Sequence, residues 1–175
     1  MSRNKKGWLF FDFFALIILI VLDQLTKYYA VLKLKEQEAF SIIPEILELK
    51  YLENKGAAFG MLQNQKFFFI LVASVILVMI VYILVKVPDH MKYRILHLLL
   101  VMIASGAIGN MIDRIRLDYV VDFIYVVCIN FPIFNVADIY VTVSTILLVI
   151  CFLFKYKEED LTFLNIKQKK FREID

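Results

Sequence analysis

The sequence predicts an integral membrane protein that is mainly α-helical, with four transmembrane helices, a small extracytoplasmic β-sheet and a short interfacial helix. Two observations carry this prediction. Hydrophobic residues make up 61% of the 175 residues, and the mean hydropathy is +0.73, whereas soluble domains are about 45–50% apolar. These residues are gathered into long blocks, so a soluble globule would be left with apolar surface that it could not bury.

Four of the apolar blocks are long enough to cross about 30 Å of hydrocarbon as helices. They cover residues 8–29, 67–85, 95–112 and 136–154. The second block contains no charged residue at all. Because no linker rich in Pro, Gly or Ser separates the blocks, we expect one membrane-embedded domain that spans residues 1–175.

The distribution of Lys and Arg predicts how the spans are oriented. Twelve of these residues precede the first block, lie between the second and third, or follow the fourth. The loop over residues 33–66 instead balances five Lys with five Glu. We therefore expect both termini in the cytoplasm, residues 155–175 as a cytoplasmic tail, and residues 33–66 as an outer loop. The first block should remain uncleaved, because no small-x-small cleavage site follows it.

The outer loop has a pattern of its own. Apolar residues alternate in part with charged ones between Phe40 and Leu52, and Pro44 interrupts them. This pattern predicts two short strands. Directly after them, residues 56–60 are mostly small, which permits a close approach of the backbone to another group.

Several classes of function are disfavoured by what the sequence lacks. The net charge of +3 and the absence of a basic stripe argue against nucleic-acid binding. Cys128 and Cys151 have no CxxC spacing and are interpreted as packing thiols, while His90 and His97 lack the HExxH pattern of zinc peptidases. We expect His97 to be a hydrogen-bonded core residue. Ser105 has no evident activating base and is interpreted as a small helix-packing residue.

Polar residues concentrate where the first, third and fourth blocks approach the outer face. An ionisable side chain costs about 2.5–3.5 kcal/mol at the centre of a membrane, so each one needs a compensating partner. Asp23 and Lys27 are spaced i,i+4, which predicts a structural salt bridge. Helix capping or interhelical hydrogen bonding would account equally well for each of the other clusters taken alone. These clusters comprise Asn110, Asp113 and Arg114, and Asn135 and Asp138.

Two carboxylates stand out by their surroundings. Asp122 lies within the apolar stretch Val120–Ile124, in a loop that is short enough to stay at the membrane surface, and Asp138 begins the fourth block. Burial of such a pair would favour a single shared proton, because two adjacent carboxyls do not easily both ionise. The ionised carboxylate can then activate water while its protonated partner donates to an amide carbonyl oxygen. This arrangement predicts an aspartyl peptidase.

Five stretches of the chain together carry a resemblance. They are Asp23–Lys27, Asn54–Gly60, Gly106–Arg114, Val120–Phe123 and Phe134–Asp138. In this order they resemble the five signature stretches of the bacterial lipoprotein signal peptidase family. The four-span plan with cytoplasmic termini also fits that family.

The resemblance implies a role for each matching residue. Asp122 and Asp138 would form the catalytic pair. Four residues would bind the substrate backbone or hold the pair: Asn54, Asn110, Arg114 and Asn135. Four more would support the structure: Asp23, Lys27, Asp113 and Gly56. The sheet and the Gly-rich stretch would form a cradle and a mobile flap.

The resemblance also implies the substrate and the setting. The substrate would be a prolipoprotein whose cysteine carries diacylglycerol, and the cut would fall just before that cysteine. Membrane lipid would surround a monomer in the bacterial cytoplasmic membrane, with the active site near the outer face. No cofactor, metal or nucleic acid would be required.

Two other hypotheses explain less of the pattern. A small proton-coupled transporter could use intramembrane Asp residues as a proton relay. It does not explain why these residues gather at one face while the cytoplasmic half of each span is almost purely apolar. A non-enzymatic scaffold leaves the costly Asp122 without a purpose.

Overall fold

The fold is a bundle of four long helices capped at one end by a small sheet. The computed structural model describes residues 3–56 and 61–164. The helices are α1 (Arg3–Leu34), α2 (Lys66–Lys86), α3 (Arg94–Leu117) and α4 (Val136–Phe154). Each is long and apolar enough to cross a membrane. The four predicted spans are therefore confirmed, although α1 and α3 both end about five residues later than predicted.

Helix α3 is the centre of the bundle, since it packs against α1, α2 and α4. Small residues allow the closest of these approaches. A Cβ at Gly106 would lie only 2.5 Å from the carbonyl oxygen of Ala137, so α3 and α4 meet almost backbone to backbone. Helix α2 buries only Ile80 among its residues and otherwise presents apolar side chains outward.

The sheet has three antiparallel strands in the order β1-β2-β3. Strands β1 (Phe40–Ile43) and β2 (Leu47–Asn54) confirm the two strands predicted in the outer loop. The segment expected to be a loop around Asp122 is instead the third strand, β3 (Val120–Val126), which pairs with β2 so that Leu52 faces Asp122. The first four residues of β3 are buried, because the strand lies between β2 and the end of α1. A short 3-10 helix, Val127–Ile129, follows β3.

The end of the bundle away from the sheet, called here the distal end, contains the beginnings of α1 and α3 and the ends of α2 and α4. Residues 155–164 of the predicted tail fold against it. The 3-10 helix Glu158–Leu164 is held by an ion pair of 2.6 Å between Lys92 Nζ and Asp160 Oδ2. The remainder of the predicted tail, 165–175, lies outside the described residues.

The distal end also contains a buried polar pair. His97 Nδ1 lies 2.6 Å from Asp12 Oδ2, and both residues are buried. The expectation of a buried, hydrogen-bonded His97 is confirmed. The expectation that this half of each span is almost purely apolar is wrong at this point, since Asp12 lies within α1. Cys151 is buried as expected, but Cys128 is exposed and does not pack in the core.

Candidate active site

Asp122 lies in the middle of β3, where it is almost completely buried. Each of its carboxylate oxygens accepts one side-chain hydrogen bond. Asn54 Nδ2 donates to Oδ2 at 2.8 Å, and Asn135 Nδ2 donates to Oδ1 at 2.7 Å. Burial, reinforced by the charge of Asp138, raises the pKa of Asp122 to about 7, although the two amide hydrogen bonds act in the opposite direction. Asp122 is thus poised to hold a proton near neutral pH.

Asp138 lies in the first turn of α4, where it forms a capping box with Asn135. Asn135 Oδ1 accepts a hydrogen bond from the Asp138 backbone N–H at 3.0 Å, and Asp138 Oδ2 accepts one from the Asn135 backbone N–H at 3.1 Å. The other oxygen, Oδ1, accepts from Asn110 Nδ2 at 2.8 Å. Asn135 therefore contacts both Asp122 and Asp138, so the structure brings together the two carboxyls that the sequence singled out.

The predicted salt bridge between Asp23 and Lys27 is part of a larger buried cluster. Lys27 Nζ lies 3.0 Å from Asp23 Oδ2 and 3.0 Å from Asp113 Oδ2, and it donates to Asn110 Oδ1 at 2.8 Å. Asp23 Oδ1 in turn accepts from the backbone N–H of Ala137, at the beginning of α4. One ammonium group and two carboxylates therefore tie α1 to α3 and α4, directly beneath the acid pair.

The second carboxylate of this cluster reaches the strand that carries Asp122. Asp113 Oδ2 accepts a hydrogen bond of 3.1 Å from the backbone N–H of Val121. Because Val121 immediately precedes Asp122, this bond fixes β3 against α3. Asp113 thus positions the acid without contacting its carboxyl group.

Gln24 belongs to the same cluster but was not singled out from the sequence. Its Nε2 donates to Asp113 Oδ1 at 2.9 Å and to the Gly109 carbonyl oxygen at 3.3 Å. Gln24 could have been identified from the sequence, because burying a polar amide within an apolar span costs free energy unless it finds hydrogen-bond partners there. Gly109 is required for the contact of α1 with α3, since a Cβ at this position would overlap the Asp23 carboxylate.

Arg114 lies on the side of the site nearest to α2. Its guanidinium donates to the Gly56 carbonyl oxygen at 3.1 Å and lies 4.4 Å from the centre of the Phe69 ring. The backbone N–H of Gly56 donates to Asn54 Oδ1 at 2.9 Å. Gly56 is thus held between two of the predicted site residues. The rest of the expected flap, Ala57–Gly60, lies outside the described residues.

A groove on the side of the bundle formed by α2, α3 and α4 reaches Asp138. It has a volume of about 240 Å³ and runs between α2, α3 and α4. Its walls are mainly apolar and include Phe69, Ile76 and Val141, while Arg114 and Asp138 lie at its polar end. An extended apolar ligand could therefore lie along the groove with a polar group beside Asp138.

The donor set of the site consists of carboxylates, amides and cations. Over the described ranges, no three His, Cys, Asp or Glu side chains come together in a way that could hold a metal ion. Ser105 donates to the Val101 carbonyl oxygen at 2.8 Å within α3, as expected of a packing residue. The site therefore offers the carboxyls of Asp122 and Asp138 with the amide groups that hydrogen-bond to them.

Comparison with known proteins agrees with this geometry. The model of the signal peptidase (SPase) II family matches residues 15–154. Lipoprotein signal peptidases of Streptococcus pyogenes serotypes M5 and M3 are 46% and 45% identical over 146 residues, which is 83% of this chain and 93% of each relative.

Solved structures give the same picture. Two bacterial membrane enzymes, at 31% and 32% identity, each superpose with a TM-score of 0.72. The alignments cover 84% and 83% of this chain, and 92% and 94% of theirs. None of these relatives is described as a transporter or a scaffold. The chain belongs to the signal peptidase II family of bacterial membrane proteins.

Proposed function

We propose that this chain removes the signal peptide from diacylglyceryl-modified prolipoproteins, and that Asp122 and Asp138 are its catalytic pair. The observation that carries the proposal is the position of Asn135, which donates to Asp122 through its side chain and to Asp138 through its backbone. That one residue hydrogen-bonds to both carboxyls supports their joint action on one water molecule and one peptide bond. Family membership supports the same reaction.

The two carboxyls perform complementary steps. One is ionised and takes a proton from water as the water oxygen attacks the carbonyl carbon of the scissile bond. The other is protonated and donates to the carbonyl oxygen, which stabilises the tetrahedral intermediate. When the C–N bond breaks, the proton taken from water passes to the leaving amine. The pKa of about 7 at Asp122 supports the retention of one proton by the pair at neutral pH.

The surrounding polar residues divide into two groups by what they contact. Asn54, Asn110 and Asn135 are bonded to the catalytic carboxyls, so we assign them to holding these acids. Arg114 contacts neither acid and has donors to spare, so it is assigned to the substrate backbone. The remaining group braces the helices and the loop: Asp23, Lys27, Asp113 and Gly56.

The groove supports a substrate that enters from the bilayer. A signal peptide is apolar, and the mainly apolar groove between α2, α3 and α4 offers it a path to Asp138. The acyl chains of the modified cysteine can remain in the lipid while the bond before that cysteine reaches the acids, so membrane anchoring contributes to recognition. The charge distribution favours cytoplasmic termini and an active site near the outer face.

Conservative substitution of each acid tests the proposal. Asp122→Asn and Asp138→Asn preserve shape but remove the acid, and each should lower the rate of cleavage by at least about 10³-fold, within the range of acid–base contributions to catalysis. The measurement is the turnover of a diacylglyceryl prolipoprotein peptide by the purified protein in detergent. Asp118→Asn is the matched control, because Asp118 is exposed and, among the described residues, its side chain pairs only with Lys66. If either active-site variant retained more than a tenth of the normal rate, the pair would be wrongly assigned.

Arg114 is tested separately. Arg114→Ala should raise KM by about tenfold with little change in kcat, as expected when a contact made equally in the ground state and the transition state is lost. Arg116→Ala, which removes an exposed guanidinium two residues later on the same helix, is the control. An unchanged KM would remove Arg114 from the substrate-binding set.

A further inference from the structure

A cavity at the distal end of the bundle is separate from the site described above. It has a volume of about 610 Å³ and opens between the beginning of α1, the beginning of α3 and the end of α4. None of the residues assigned to the peptidase site lines it. The cavity is therefore not part of the candidate active site.

The walls of the cavity are apolar and face outward. Phe11 is 58% exposed and Leu98 is 46% exposed, which for a membrane-spanning helix means exposure to lipid. Trp8 and Ile95 complete the apolar lining. The cavity is thus continuous with the lipid-facing surface and could accept hydrocarbon from the bilayer.

The mouth of the cavity carries two cations. Arg94 is the first residue of α3, and Lys155 directly follows the last residue of α4, so both lie at the ends of spans, where lipid headgroups are found. Neither forms an ion pair with any residue in the described ranges; Lys155 Nζ only lies 5.9 Å from the centre of the Tyr156 ring. Two cations at headgroup depth, without an ion-pair partner among the described residues, favour an anionic partner.

The inner part of the cavity is polar. His97 is 3% exposed and Asp12 is 8% exposed, and His97 Nδ1 lies 2.6 Å from Asp12 Oδ2. The Asp12 carboxyl group is thus engaged by the imidazole ring. His97 Nε2 has no hydrogen-bond partner within residues 3–56 and 61–164. A hydrogen on Nε2 could be donated to a ligand in the cavity.

We propose that this cavity binds one anionic phospholipid. The phosphate would pair with Arg94 and Lys155, an ester carbonyl of the glycerol would accept from His97 Nε2, and an acyl chain would lie along Phe11 and Leu98. The apolar walls favour a phospholipid over a small soluble phosphate, which would leave them uncovered. The two cations disfavour a basic peptide segment.

The proposal is tested by counting bound lipids. The full chain, purified in dodecyl maltoside, is incubated with dioleoylphosphatidylglycerol or dioleoylphosphatidylcholine and examined by native mass spectrometry. One phosphatidylglycerol should be retained in preference to phosphatidylcholine. Glycerol 3-phosphate should not displace it at the same concentration. Equal retention of the two lipids, or displacement by glycerol 3-phosphate, would overturn the proposal.

Variants identify the cavity as the place of binding. Arg94→Gln with Lys155→Gln should reduce retention of phosphatidylglycerol by about 30-fold, since each interfacial cation contributes roughly fivefold to the attraction of an anionic lipid. Lys86→Gln with Lys157→Gln removes the same charge at the same end, outside the cavity, and should have little effect. Equal effects of the two double variants would show general charge attraction and reject the site.

A blocking variant provides an independent measurement. Leu98→Trp fills the mouth of the cavity without changing the charge, and at an exposed position it should not disturb folding. We expect it to lose the bound phosphatidylglycerol as well. Full retention by Leu98→Trp would place the lipid elsewhere and contradict the proposal.

Discussion

Polar side chains are buried at both ends of this helix bundle, but their surroundings differ. At the sheet end each buried carboxylate has at least two partners, and Asp113 alone contacts Lys27, Gln24 and the Val121 backbone. At the distal end Asp12 and His97 contact each other beside an open cavity. The first arrangement fixes atoms in place, while in the second His97 Nε2 has no hydrogen-bond partner within residues 3–56 and 61–164.

The difference indicates what each end requires. Catalysis by two carboxyls depends on their separation and on a shared proton, so the residues that hold them must have few alternative positions. Binding a lipid tolerates more freedom, because much of the contact is apolar and non-directional. Substitutions that remove partners at one end or the other can test this contrast.

Loss of Lys27 should have the largest effect. Lys27→Met leaves Asp23 and Asp113 buried without their common cation, which should lower the free energy of unfolding by about 3–5 kcal/mol. The measurement is thermal or denaturant-induced unfolding in detergent micelles. Lys33→Met, at an exposed position near the end of α1, is the control and should change stability by less than about 0.5 kcal/mol. A cost below about 1 kcal/mol for Lys27→Met would mean that the sheet-end cluster is not rigidly coupled.

Removal of the Asn135 side chain should mainly affect the rate. Asn135→Ala deletes the bond to Asp122 and the cap of α4, so we expect a loss of kcat of about 100-fold and of stability of about 1 kcal/mol. Asn135→Ser separates the two effects, because serine can cap the helix but is too short to reach Asp122. Stability should recover in this variant while kcat stays low; recovery of both would assign Asn135 to capping alone.

The pH dependence of kcat/KM should change when Asn54, a hydrogen-bond partner of Asp122, is replaced. Because the pKa of Asp122 is about 7, kcat/KM should fall above neutral pH as the shared proton is lost. Asn54 donates to the carboxylate and so favours its ionised form; Asn54→Ala should raise the pKa and move the alkaline limb to higher pH. Gln63→Ala removes an exposed amide instead and should leave the limb in place. A shift of the limb to lower pH in Asn54→Ala would contradict this assignment.

Substitution of the buried pair Asp12 and His97 at the distal end should have the smallest effect on stability. Asp12→Leu combined with His97→Phe replaces a buried polar pair by apolar groups, which we expect to change stability by less than about 1.5 kcal/mol. His97→Phe alone leaves Asp12 without its partner and should be more destabilising than the double variant. Unfolding in detergent compares the two. If the double variant were the less stable, Asp12 and His97 would be as tightly integrated as the sheet-end cluster.

Much of the fold could be predicted because the membrane imposes simple rules. Apolar length alone located α2 and α4 to within about a residue at either end. Strand β3 could not be predicted as readily, because Val120–Phe123 is buried throughout and lacks the alternation that marks a half-exposed strand. Its pairing with β2 depends on a contact between segments about 70 residues apart.

The cost of burying polar groups explains which residues of the candidate site could be predicted, and the positions of their partners explain which were missed. Carboxylates in apolar surroundings are costly, and this cost drew attention to Asp122 and Asp138. The same argument applies to Gln24 and Asp12, but their partners on other helices lie 85 or more residues away and become apparent only in three dimensions. Sequence indicated which residues need partners, while the fold determines which partners they find.

Both backbone polar groups of Gly56 are hydrogen-bonded. Its N–H donates to Asn54 Oδ1, and its carbonyl oxygen accepts from Arg114. The same Asn54 amide also donates to Asp122, so a single side chain connects the Gly56 backbone to the Asp122 carboxyl group. A change in the position of the Gly56 backbone would therefore alter the surroundings of the Asp122 carboxyl group.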